Sequence, residues 1–106
     1  MIQTAKAIYT GGNIWLFYGE LKDGTFFLTD DFGATLILDE SPENLDESLY
    51  DEWQTAHTVR ELTDESERSK FCLSLLNWLK ATGTGRNCGM TDLEIEGYKK
   101  YMCDPN

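Results

Sequence analysis

Three short apolar runs, separated by tight-turn residues, fill the stretch from residue 13 to residue 38, and connections this short force antiparallel pairing. In residues 13–21, Ile14, Leu16 and Tyr18 fall on one face of an extended chain and Trp15, Phe17 and Leu21 on the other. Lys22-Asp23-Gly24 then reads as a hairpin turn, because Asp-Gly supplies the positive φ that such a turn requires. Residues 25–29 form the next strand, Asp30-Asp31-Phe32-Gly33 turns the chain again, and residues 34–38 make another. A weaker alternation over residues 4–9, closed by Gly11-Gly12-Asn13, adds a strand before them. Because both faces of residues 13–21 are apolar, this strand is expected to be central. It is covered on each side, or covered on one and used for contact on the other.

The C-terminal half changes period. Asp64-Glu65-Ser66-Glu67 resembles a capping box, with Asp64 accepting from first-turn amides and Glu67 reaching back. Phe71, Cys72, Leu75, Leu76 and Leu79 then recur at helical spacing, widened by Trp78, so a helix over residues 64–82 carries a stripe that must pack on something. Gly83 and Gly85 end it. A second helix starts at Thr91 with the box Thr91-Asp92-Leu93-Glu94 and turns Leu93, Ile95, Tyr98 and Met102 inward. Lys99 and Lys100 suit its negative end. Residues 53–62 are ambiguous between strand and helix, and their Thr and Val content favours a strand.

The expected fold is therefore α+β: an antiparallel β-meander sheet of four to five strands followed by two C-terminal helices packed on one face. A chain of 106 residues fits one domain, residues 1–106, with a core of Ile8, Trp15, Phe17, Phe27, Leu36, Leu38, Phe71, Leu75, Leu76, Leu79 and Leu93. A dimer built on the sheet is a further expectation, should Trp15 or Tyr18 lie exposed.

Charge is where the sequence speaks to function. Nineteen acidic against nine basic residues give a formal net charge of −10. Residues 39–52 hold Asp39, Glu40, Glu43, Asp46, Glu47, Asp51 and Glu52 with no Lys or Arg, while Pro42 excludes a continuing central strand there. An acidic side of this kind repels nucleic-acid phosphate, so direct nucleic-acid binding is not expected. It attracts a basic protein instead, and a rigid body bearing spread carboxylates presents a field like that of a phosphate backbone.

Catalytic and metal chemistry find little footing in the residue pattern. His57 is the single imidazole, and Cys72, Cys88 and Cys103 lack ligand-pair spacing, so neither zinc nor another cofactor is expected. The acidic stretch lacks the calcium-loop pattern. Cys72 lies on the helical stripe and reads as a core thiol, and nothing in the sequence ties Cys88 to His57 as nucleophile and base. Residues 83–89 are glycine-rich like a phosphate loop, yet they follow a helix C-terminus, where the dipole has the wrong sign. No enzyme is expected. Three cysteines cannot all pair within the chain, the first six residues carry no targeting pattern, and no apolar run approaches a membrane span. A reduced, cytoplasmic protein is the expectation.

A short acidic chain with an aromatic-rich meander, helices behind it and no catalytic motif resembles the small accessory proteins of phages and mobile elements, of which anti-CRISPR inhibitors are a well-known class. The stretch Ala5-Lys6-Ala7-Ile8-Tyr9-Thr10-Gly11-Gly12 through Phe26-Phe27-Leu28-Thr29-Asp30-Asp31 is similar to orphan proteins of such elements. The resemblance is one of type: it implies an inhibitor of a nucleic-acid-guided nuclease and carries over no functional residue. The charge pattern itself places the expected contact with a basic groove at residues 39–52, and the two-sided apolar strand offers Trp15, Phe17 and Tyr18 as a second interface. The alternatives are an antitoxin or immunity protein matched to a basic toxin, or an interaction domain whose charge maintains solubility.

Overall fold

The computed structural model describes residues 1–10, 14–42 and 56–103. Five strands, β1 (Ile2–Tyr9), β2 (Trp15–Leu21), β3 (Phe26–Thr29), β4 (Thr35–Leu38) and β5 (Thr58–Glu61), form one sheet in the order of the chain, each pairing antiparallel with the next. Helices α1 (Glu65–Ala81), α2 (Thr84–Asn87) and α3 (Asp92–Cys103) follow. The meander and the two C-terminal helices read from the sequence are thus present, and the ambiguous stretch supplies its strand at Thr58–Glu61.

Turn chemistry accounts for the sheet. Gly24 takes φ +90 in the β2–β3 hairpin, where the Asp23 carboxylate accepts from the Thr25 amide at 2.9 Å. In the β3–β4 hairpin the Asp30 carboxylate accepts from the amides of Phe32 (2.9 Å) and Ala34 (3.0 Å), and Gly33 takes φ +93. Such side-chain caps fix a turn locally. Between β1 and β2 the chains approach so closely at Gly19 that any Cβ there would collide with the Thr4 carbonyl.

The centre of the sheet carries a buried apolar cluster on each face, in keeping with the two-sided pattern of β2. On one face Trp15, Phe17, Phe27 and Ile37 join Phe71, Cys72, Leu75, Leu76 and Leu79 of α1 and Ile95 and Met102 of α3 in the main core. On the other, Tyr18, Leu28 and Leu38 form a second cluster with Phe26 and Leu36 against it. At residues 2–4 the β1–β2 register shifts, so Ile2, Ala5 and Ala7 all point to the helices despite their odd spacing. The small alanines let the helical layer come close. Ile8 then falls on the opposite face of an edge strand and is 45% exposed, which corrects its expected place in the core.

Both long helices begin where their caps lie. The Glu67 amide donates to Asp64 Oδ1 at 2.9 Å at the head of α1. The Glu67 carboxylate, however, pairs with Arg60 of β5 at 2.8 Å, an ion pair that ties the edge strand to the helix. At α3 the box is reciprocal: the Glu94 amide donates to Thr91 Oγ1 and the Thr91 amide to Glu94 Oε1, each at 3.1 Å. The inward face of α3 is set by Ile95 (0% exposed) and Met102, seven residues apart. Leu93 lies about 200° around the helix from Ile95, at roughly 100° per residue, and is 83% exposed, a second correction to the expected core. Residues 83–89 are more than a stop: Gly83 (φ +74) reverses the chain into α2, and Gly85 packs so tightly on Ile95 that an added Cβ would overlap its Cδ1.

Candidate functional site

The acidic run predicted at residues 39–52 starts where β4 ends. Asp39 and Glu40 leave the sheet beside Leu38, and the Asp39 amide donates to the His57 carbonyl at 3.0 Å, so the two ends of the connection are held together just before β5. His57 Nδ1 lies 3.2 Å from Asp39 Oδ1 and 3.1 Å from Glu40 Oε2. The imidazole is largely covered while both carboxylates remain mostly exposed. This corner therefore presents two acid groups outward, with a histidine clamped between them. Pro42 is buried next to it, and a shallow concavity lined by Thr4, Lys6, Tyr18, Glu20, Phe26 and Ser41 opens on the adjoining sheet face. The remaining members of the expected site, Glu43, Asp46, Glu47, Asp51 and Glu52, lie outside the described residues.

The distribution of charge sets this corner apart. All nine Lys and Arg and thirteen of the nineteen Asp and Glu fall within the described residues, so the rest of the chain carries six of the ten net negative charges. Five of those six acids belong to residues 43–52. Four of the nine cations form ion pairs away from this corner: Lys80 and Lys99 share Glu96 at 2.7 and 3.0 Å, Arg60 holds Glu67, and Arg86 faces Asp92 at 3.6 Å. Those pairs act locally. Hydrogen bonds from Lys80 and Lys99 hold the Glu96 carboxyl below the usual carboxylate range. Along the chain, the excess of negative charge is thus concentrated in the connection from β4 to β5.

The second expected interface has a different fate. Trp15 (6% exposed) and Phe17 (0%) are core residues facing the helices, and Tyr18 (8%) anchors the cluster on the other face. The expectation that Trp15 or Tyr18 lies exposed is corrected accordingly: both side chains are buried. Exposed aromatic surface sits at the opposite end of the sheet. There Phe32, on the β3–β4 hairpin, stacks at a tilt against Tyr101 of α3 with ring centroids 5.7 Å apart. Both were passed over in the sequence, Phe32 because it sits among turn residues and Tyr101 because it lies off the apolar stripe of its helix.

The cysteines also find their places. Cys72 is fully buried and donates weakly to the Gly33 carbonyl at 3.7 Å; burial pushes its thiol up. Burial, followed by the neighbouring Cys72, pushes Cys103 up to about 12. Cys88 accepts from the Ala7 amide of β1 at 3.5 Å and so covers part of that sheet edge. His57 adjoins β5, on the other edge, four strand spacings or about 19 Å across the sheet. The two do not form a nucleophile–base pair. Among the described residues no group of three or more His, Cys, Asp or Glu is arranged to hold a metal ion, and no helix is long and apolar enough to cross a membrane.

No family model, characterised protein or solved structure matches this chain.

Proposed function

We propose that this protein is a non-catalytic binding protein that inhibits by contact between its acidic corner and a basic groove, of the type used by anti-CRISPR proteins against nucleic-acid-guided nucleases. The observation that carries the reading is the concentration of negative charge in one connection: seven acids and no Lys or Arg over residues 39–52, beginning at the exposed Asp39 and Glu40. Carboxylates massed on one side of a folded body attract a cationic groove over about a Debye length, close to 10 Å at ordinary salt, and speed its capture. The hydrogen bond from the Asp39 amide to the His57 carbonyl, which fixes the chain on either side of that connection, supports the reading. The setting proposed is a reducing cytoplasm, in keeping with three free thiols in one chain.

The test is competitive. Guide-loaded RNA-guided nuclease effectors are mixed with a fluorescent target duplex, with and without the protein. Inhibition of duplex binding by the wild type, and its loss when Glu43, Asp46, Glu47, Asp51 and Glu52 are changed together to Gln or Asn, is the expected outcome. Duplex binding unaffected by the wild type across a panel of effectors would reject this form of the reading.

A further inference from the structure

The acidic corner leaves unexplained a set of large apolar side chains exposed on the β3–β4 hairpin and on α3. Phe32 is 67% exposed, Tyr101 56% and Leu93 83%. Leu93, Gly97 and Tyr101 follow one another at intervals of four along α3 and so share a row on its outer face. Gly97 has no side chain to fill the space between its neighbours, and a Cβ there would meet nothing. Phe32 stacks on Tyr101 from the side, and Tyr98, which packs edge-on to Phe17 of the core at 6.3 Å, roots the group in the fold.

This surface is held rigidly. The loop that carries Phe32 is closed by hydrogen bonds: the Phe32 and Ala34 amides donate to the Asp30 carboxylate, the Gly33 amide to the Asp30 carbonyl at 3.2 Å, and the Asp30 amide to the Ala34 carbonyl at 3.0 Å. Beneath it Thr35 Oγ1 and Cys72 Sγ both donate to the Gly33 carbonyl. An aromatic ring fixed outward on such a turn loses little freedom when a partner binds. Exposed large apolar groups grouped in this way mark a contact surface.

The surroundings identify the partner's chemistry. Asp31 adjoins Phe32 in the hairpin, and Glu94 lies one turn before Tyr98 on α3. Burial, then the charges of Asp31 and Glu94, push the Tyr98 hydroxyl up, as negative charge beside it must. Burial and the neighbouring Asp30 push the Asp31 carboxyl up in the same way. Lys100, seven residues after Leu93, is the basic residue at the margin of the row. A second copy of this chain would bring like carboxylates together across a two-fold contact, which opposes that arrangement. An arginine satisfies both elements at once: its guanidinium pairs with carboxylates and stacks on aromatic faces.

We propose that Phe32, Leu93, Tyr98 and Tyr101, rimmed by Asp31 and Glu94, form a docking surface for an arginine-bearing apolar segment of a partner protein. It deepens the reading above, resting on it only for the basic character of the partner. The surface lies at the opposite end of β4 from Asp39 and Glu40, so the two can be tested apart.

The probe is a blocked peptide of alternating arginine and leucine, titrated into the isotopically labelled full-length chain, with a citrulline peptide of the same length as neutral control. Amide shifts should centre on Phe32, Leu93, Tyr98 and Tyr101. The citrulline peptide and the Phe32→Ala/Tyr101→Ala variant should each bind about tenfold more weakly. Thermal melts establish that the variant folds; Phe32→Ala alone, on a turn made by its neighbours, gives the same reading if Tyr101→Ala does not. Shifts confined to Asp39, Glu40 and His57 would overturn this surface while leaving the acidic-corner reading intact. Equal affinity of variant and wild type would also overturn it. So would concentration-dependent shifts at Phe32 and Tyr101 without peptide, since a second copy would then be the occupant.

Discussion

Replacing Leu76 and Leu93 by alanine, one at a time, tests the fold where periodicity and structure part company. Both leucines read as core from helical spacing, yet Leu76 is fully buried and Leu93 is 83% exposed. Truncating a buried leucine removes transfer free energy and leaves a cavity, at a cost of about 2–5 kcal/mol. Leu76 belongs to the main core, which draws on the sheet, α1 and α3, and close packing there limits collapse into the gap. A domain of this size has roughly 5–15 kcal/mol in total and loses about 4–8 °C of thermal midpoint per kcal/mol. Leu76→Ala should therefore lower the midpoint by about 10 °C or more. Leu93→Ala removes side chain that already meets water, and its effect should stay within about 0.5 kcal/mol, or a few degrees. Urea unfolding followed by tryptophan fluorescence gives both values, and an unchanged slope certifies that compactness is preserved. Equal losses in the two variants would refute the assigned face of α3, and with it the exposure of the Leu93 row.

Other consequences follow from the packing. Gly19→Ala, at a negative φ but against the Thr4 carbonyl, should destabilise by about 1–3 kcal/mol through overpacking, whereas Gly24→Ser, in open space, suffers only the strain of its positive φ; denaturation midpoints compare them. Native-state alkylation at pH 8 followed by peptide mass mapping should label Cys88 first and Cys72 last, because burial lowers the thiolate fraction of Cys72 and Cys103 and keeps Cys72 from solvent. Glu96, with its carboxyl held down by Lys80 and Lys99, contributes stability that is present above its unfolded-state pKa, near 4.5, and lost as pH falls through the lower folded value. Stability of Glu96→Gln measured below pH 5 should fall less steeply with acid than that of the wild type.

Much of the fold was legible because its signals are local. Asp23-Gly24 and Asp30 with Gly33 announce hairpins through their own backbone demands, and the Asp64 and Thr91 caps place helix starts to within a residue. What escaped were consequences of tertiary geometry. The register shift at the head of β1 puts Ile2 on the helix face with Ala5 and Ala7, which leaves Ile8, next to Ala7, on the other face of an edge strand, and no composition of residues 2–9 signals it. The inward direction of α3 depends on where Gly85 lets Ile95 seat, which left Leu93 outside. Glu67 chose Arg60 over its own helix terminus because β5 brought a guanidinium to it. For the site, the acids of the connection were plain from the sequence, as was the lack of compensating bases. The pairing of Asp39 and Glu40 with His57 joins residues 17 or 18 positions apart and required the sheet to be known. Phe32 with Tyr101, sixty-nine positions apart, was invisible for the same reason.

The acidic corner is tested most directly by the salt dependence of affinity for an effector whose duplex binding the protein blocks. Wild type and the variant neutralised at Glu43, Asp46, Glu47, Asp51 and Glu52 are compared by surface-bound kinetics at low and high ionic strength. Both should fold alike, since repulsion among like charges does not hold a fold together. The wild type should bind far more tightly at low salt, chiefly through a faster on-rate, and the variant should lose most of that advantage. Equal affinities and equal salt slopes for the two proteins would contradict the account.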